Sequence, residues 1–133
     1  MDIRDYIPQR APFVMVDELV RATADSAETR WTVPADNVLL TKGHLPAAGL
    51  MENVAQSAAA WIGKQAQDKH EAVRIGFIGA VKKMSVHRLP KAGETLETRI
   101  NVMASVFDIT LIHAEVNSAA GLAAEMDLKI ALQ

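Results

Sequence analysis

The stretch GHLPAAGLMENVAQ sets His44 eight positions before Glu52, and Gln56 follows four residues later. An imidazole with an unperturbed pKa of about 6.5 can take up a proton near neutrality. A carboxyl group can release one there if burial raises its pKa. Backbone N–H groups left open at a helix start can polarise a carbonyl oxygen as charge develops on it. His44, Glu52 and the amides near Gly49 and Leu50 therefore place a base, an acid and an electrophilic donor in one short segment. Plainer readings of the same residues stay open. Glu52 would also be favoured as a first-turn carboxylate, by roughly 0.3–1 kcal/mol from the helix dipole, and His44 would also suit an exposed loop.

The elements that must position these groups follow from periodicity. From Gly49 to about Gln67, Leu50, Met51, Val54, Ala55, Ala58, Ala59, Trp61 and Ile62 cover most of a helix circumference, which predicts a buried helix. Its small residues, Ala55, Ser57, Ala58 to Ala60 and Gly63, would allow close approach of a sheet. FVMVDELV from Phe13 and the following ETRWTV read as strands, and Gly43 suits a tight turn in the loop before the helix. Four more strand candidates follow the helix: RIGFIGAVKKMSVHRL, TLETRINVMASVF, DITLIHAEVNS and GLAAEMDLKIAL. Their short connections suit antiparallel pairing. The expected class is α+β, with one antiparallel β-sheet wrapped around a long central helix in a single domain, residues 1–133.

Composition excludes several chemistries. Half of the 133 residues are hydrophobic, enough for one core, and the net charge of −2 gives no global field for nucleic acid. No run is long and apolar enough for membrane insertion, and no signal-peptide core is present, so the sequence reads as cytoplasmic. The absence of cysteine removes thiolate zinc sites and a cysteine nucleophile. His70 lies in a polar helix exit, while His87 and His113 fall on strand candidates and read as structural. The four histidines form no ligand motif, so no metal is expected.

IPQRAPFVMVDELV resembles the opening LPHRxPFLLVDRV segment of the β-hydroxyacyl-acyl-carrier-protein dehydratases. GHLP and ENVAQ resemble their GHFP and EAMAQ elements, and GFIGAVKKMSVHRLPKAGETL resembles FAGIDxxxFKRPVxPGD. The nearest likeness is to the short branch linked to aryl polyene and flexirubin pathways, in which LP leads almost directly to ExxAQ. Gln9 stands where the family usually writes His, and the Pro/Gly-rich stretch before the family's helix is largely missing between Pro46 and Glu52.

The resemblance implies a hotdog fold in a homodimer or dimer-based oligomer, with no cofactor beyond the phosphopantetheine that the substrate carries. It implies dehydration of a 3-hydroxyacyl thioester, bound to acyl carrier protein or CoA. His44 would take the C2 proton and Glu52 would protonate the departing hydroxyl, the two coming from different subunits. Gly49, Leu50, Gln9 and Gln56 would hold the substrate. Lys82, Lys83, Arg88 and Lys91 form the most basic run, which would be either a solvated strand edge or a dock for an acidic carrier protein. A thioester hydrolase and a noncatalytic acyl-binding subunit remain as alternatives on the same scaffold.

Overall fold

The structure is a computed structural model that describes residues 2–72 and 76–132. A 3-10 turn (Ile3–Asp5) precedes β1 (Glu18–Ala22), β2 (Ser26–Thr32), α1 (Ala47–Asp68), β3 (Gly76–Val86), β4 (Thr95–Val106), β5 (Ile109–Ser118) and β6 (Gly121–Leu132). The six strands form one antiparallel sheet in the order β1-β2-β4-β5-β6-β3. This is the hotdog arrangement expected from the sequence, with α1 as its filling. Inward positions alternate along the strands, as Leu96, Thr98 and Ile100 do on β4 and Ile112, Ala114 and Val116 on β5. They meet Leu50, Val54 and Ala58 of α1, with Trp31 and Met126 filling the core between. No helix among the described residues is long and apolar enough to cross a membrane.

The core face of α1 carries three wholly buried polar side chains, Asn53, Gln56 and Ser57. Asn53 Nδ2 donates to Met15 O at 2.7 Å, and its Oδ1 accepts from Thr98 Oγ1 at 2.6 Å. Gln56 Oε1 accepts from Met15 N at 2.6 Å, while its Nε2 donates to Phe13 O at 2.7 Å. Ser57 Oγ lies 2.7 Å from Thr29 Oγ1, and Thr29 faces Thr98 across the β2–β4 ladder. The two threonines and the helix side chains thus satisfy one another within the core.

This network explains why the first strand starts at Glu18 and not at Phe13. The backbone of residues 13–15 pairs with helix side chains and not with a neighbouring strand, although Met15 and Val16 are fully buried as a strand's would be. Of the strand expected from Arg74 to Leu89, Gly76–Val86 is strand and residues 87–89 are not; Arg74 and Ile75 lie outside the described residues. The helix starts two residues before Gly49, capped at Pro46, so Glu52 is its sixth residue and no acidic group occupies the first turn. The capping explanation for Glu52 therefore falls. Helix α1 also lies against the N-terminal turn so closely that any side chain at Gly63 would strike the Tyr6 carbonyl.

Two loops meet beside the helix start. Lys42 and Gly43, with φ of 51° and 78°, make a two-residue turn of positive φ between the bridged Thr41 and His44, which is where a glycine belongs. That turn docks on residues 90–92 through Leu45 N to Pro90 O (2.8 Å) and Ala92 N to Gly43 O (3.0 Å). The second loop is held by Arg88, whose Nη2 donates to Glu94 Oε1 at 2.7 Å and also reaches Ser118 Oγ. Glu94 accepts from Lys91 N at 2.6 Å as well. The Arg88 guanidinium, aided by that amide and Ser118, lowers the Glu94 pKa from 4.5 to about 2.

Two stability outcomes follow from these contacts. Asn53→Ala strips partners from Met15 O and Thr98 Oγ1 and should lower unfolding stability by about 2–3 kcal/mol. In a urea double-mutant cycle with Thr98→Val the pair should show coupling of about 1 kcal/mol; additive losses would mean that the hydrogen bond contributes nothing. Glu94 has a depressed folded-state pKa, so its stabilisation is complete above 4.5 and is lost as pH falls towards 2. Glu94→Gln should cost about 1–2 kcal/mol at neutral pH. The urea midpoints of parent and variant should converge as pH drops through that window, and a constant gap would contradict the ion-pair account.

Candidate active site

A cavity of about 590 Å³ lies between α1 and the N-terminal segment. Glu52, Ala55, Ala59 and Ile62 form one stripe of the helix facing it, at the three- and four-residue spacing that shares a face. Ala58 joins them, so Ala55, Ala58 and Ala59 leave room for a ligand where the sequence had suggested close approach of the sheet. Residues 5–9 make the opposite wall, and Gly76 and Ile78 of β3 with Ile130 of β6 complete it. The walls are mainly apolar and the polar groups few, as in sites for apolar small molecules.

Glu52 is half-buried, and its Oε1 accepts from Gln56 Nε2 at 2.9 Å. Since both Nε2 protons and the Oε1 of Gln56 are engaged with Glu52, Phe13 O and Met15 N, Gln56 aims the carboxylate and offers no free donor to a substrate. Gln9 lines the same cavity, and its buried Oε1 has no hydrogen-bond partner among the described residues. This carbonyl can accept from a ligand hydroxyl or an ordered water.

The amides of Gly49 and Leu50 are not the open ones. Both donate to Pro46 O, at 2.9 and 3.2 Å, so the groups left over at the helix start are those of Ala47 and Ala48. Gly49 serves packing instead, because a side chain there would strike Leu45. His44 stands in the docked turn and is absent from the lining of the Glu52 cavity. Its Nδ1 lies 3.1 Å from Lys42 O, and in the tautomer that donates to this carbonyl Nε2 is the bare acceptor that a general base needs. Within one chain, then, Gln9 and Glu52 converge and His44 does not.

The basic run divides. Lys82, Lys83 and Lys91 are exposed, with Lys83 Nζ 4.0 Å from Asp127, whereas Arg88 is engaged by Glu94 and is not free to dock a partner. His70 is exposed at the helix exit, and His87 pairs with Glu125 at 3.4 Å. His113 bonds Asp127 at 2.7 Å and lies 3.4 Å from Glu115; the Asp127 hydrogen bond raises its pKa. Asp5 to Pro8 were missed as cavity wall. Only the closeness of that segment to Gln9 could have pointed to them.

Comparison with known proteins agrees with this fold. The curated 3-hydroxyacyl-[acyl-carrier-protein] dehydratase FabZ of Clostridium kluyveri is 27% identical over 108 residues, covering 77% of this chain and 73% of its own. The dehydratase heterocomplex ApeI:P from Xenorhabdus doucetiae matches the fold with a TM-score of 0.92 at 19% identity, over 100% of this chain and 91% of that one. A hypothetical thioesterase from Streptococcus pneumoniae, solved with coenzyme A, matches at 0.71 and 8% identity over 87% and 84%. The family model described as ApeP dehydratase matches residues 1–131, and the chain belongs to this ApeP-like family.

Proposed function

We propose that the chain dehydrates 3-hydroxyacyl thioesters carried on acyl carrier protein, releasing water and a trans-2-enoyl thioester. The observation that carries this reading is a hydrogen-bonded carboxyl group, Glu52, in a mainly apolar cavity whose helix wall is lined by alanines. In this scheme the acyl chain lies along α1 with its thioester end near Glu52. The Nε2 of His44 removes a proton from C2, and the electron pair forms the C2–C3 double bond as the hydroxyl on C3 leaves. The carboxyl group of Glu52 protonates that hydroxyl, so water departs and the carboxylate and imidazolium then exchange protons with solvent. Gln9 Oε1 is suited to accept from the 3-hydroxyl before it leaves.

Because His44 lies off this cavity, the scheme needs His44 from a second subunit. An association through β3 supports it: β3 is an edge strand, it carries exposed Ile78 and Val86, and it lends Gly76 and Ile78 to the cavity wall. The second subunit would be another copy or, as in the heterocomplex from Xenorhabdus doucetiae, a different dehydratase chain. Gln9 in place of the family histidine favours a second reading, in which this chain is a noncatalytic acyl-binding partner. Product analysis separates the two, since only the first gives an enoyl thioester, and release of free thiol would indicate hydrolysis instead.

Glu52→Gln and His44→Ala should each lower dehydration at least about a hundredfold without loss of fold. Co-expressing the two variants with different tags and isolating the mixed dimer should restore turnover, because one site then holds both groups. A mixed dimer as inactive as its parents would defeat the shared site. Reversing charge with Lys82→Glu and Lys91→Glu should raise KM for a carrier-bound substrate several-fold and leave the free pantetheine thioester unaffected. An equal effect on both substrates would remove the docking role.

A further inference from the structure

A second cavity, of about 320 Å³, lies past the far end of the first. Trp61, Val102 and Leu132 are among its apolar walls and Gln65, Lys69 and Glu71 among its polar ones, and Ile62 is the one residue that lines both. The partition between the cavities is thin and apolar. A methyl group added to Gly76 would lie 3.0 Å from Ile130 Cγ2, 3.3 Å from Ile62 Cδ1 and 3.5 Å from Leu132 Cδ2, so these three side chains converge over that glycine. Two of them rise from β6, whose backbone is fixed by ladders on both sides. Ile62 is half-buried on the helix and closes the gap from above.

From this geometry we infer that Ile62 is the residue that sets acyl chain length, as a removable partition between the working cavity and the space beyond. Ile62 follows Glu52 by ten residues, about 15 Å along the helix axis. An extended chain of about twelve carbons with its thioester at Glu52 spans that distance and meets the Ile62 side chain with its methyl end. Chains up to that length fit the first cavity, and longer ones have no place for their terminal carbons while Ile62 stands. The inference rests on the acyl-binding part of the proposed function and does not need the chemistry.

Binding of saturated thioesters tests it without turnover. Lauroyl-CoA and palmitoyl-CoA are titrated calorimetrically against the parent protein and Ile62→Ala, with tryptophan emission recorded in parallel. Of the two tryptophans, Trp31 is sealed in the core while Trp61 lines the second cavity, so a change in emission on titration reports a chain arriving there. The parent should bind lauroyl-CoA at least as tightly as palmitoyl-CoA, with emission unchanged. In Ile62→Ala the ratio should move towards palmitoyl-CoA by about tenfold or more, given about 0.8 kcal/mol for each further buried methylene, and the emission should shift. Ile62→Val, which keeps the branched shape, should move both readouts the same way by less and serves if the alanine variant does not fold. A length preference that stays the same in folded variants, or a Trp61 response to palmitoyl-CoA in the parent, overturns the partition. If neither thioester binds the parent, the acyl reading of the cavity fails, and the partition fails with it.

Discussion

The structure depends on a backbone segment that has no strand to pair with. Residues 13–15 run inward along α1, from exposed Phe13 to fully buried Met15, carrying amide and carbonyl groups that must be satisfied. The side-chain amides of Asn53 and Gln56 do this from the helix. One short piece of α1 therefore performs the work of a sheet edge, and the same piece touches Thr98, and through Ser57 Thr29, beneath it. Helix rotation, sheet register and the path of the N-terminal segment are coupled through these few bonds. A slip of one residue along the helix would orphan several buried polar groups together, at a cost well beyond that of a single lost contact.

The coupling extends to the candidate site. Gln56 holds the main chain at Phe13 and Met15 and also the carboxylate of Glu52. Positioning of Glu52 is thus a by-product of satisfying the interior, and needs no separate scaffold. The same linkage limits variation, because a residue that freed Glu52 would also release the N-terminal segment from the helix. Across the helix start, the turn that carries His44 is fixed independently, by its docking on residues 90–92 and by the Arg88–Glu94 pair behind them.

How much of this was legible in the sequence depended on whether the determining contacts were local. Strands β4 to β6 were readable almost to the residue, since period-two alternation and short turns are near-neighbour signals. Helix α1 was readable too, with an error of two residues at Pro46. The strand expected from Phe13 failed because an apolar, β-branched run looks the same whether its backbone pairs with a strand or with helix amides. Glu52 and Gln9 were identifiable as candidates from their place in a family motif, and both line one cavity. The role of Gln56 and the open amides at Ala47 and Ala48 were not, because both turn on hydrogen bonds to Phe13, Met15 and Pro46 that spacing alone cannot assign.

Residues 5–9 wall one side of the cavity and lie outside the sheet, whereas Ile130 opposite them sits on β6, which is laddered on both sides. Segments without such ladders open locally at free energies far below that of global unfolding. The N-terminal wall is therefore the side of the cavity that gives way first. An occupant spanning from α1 to that wall would suppress its opening, so its presence would register as slowed amide exchange in residues 5–9, while the Asn53-centred interior, already closed, would exchange as before.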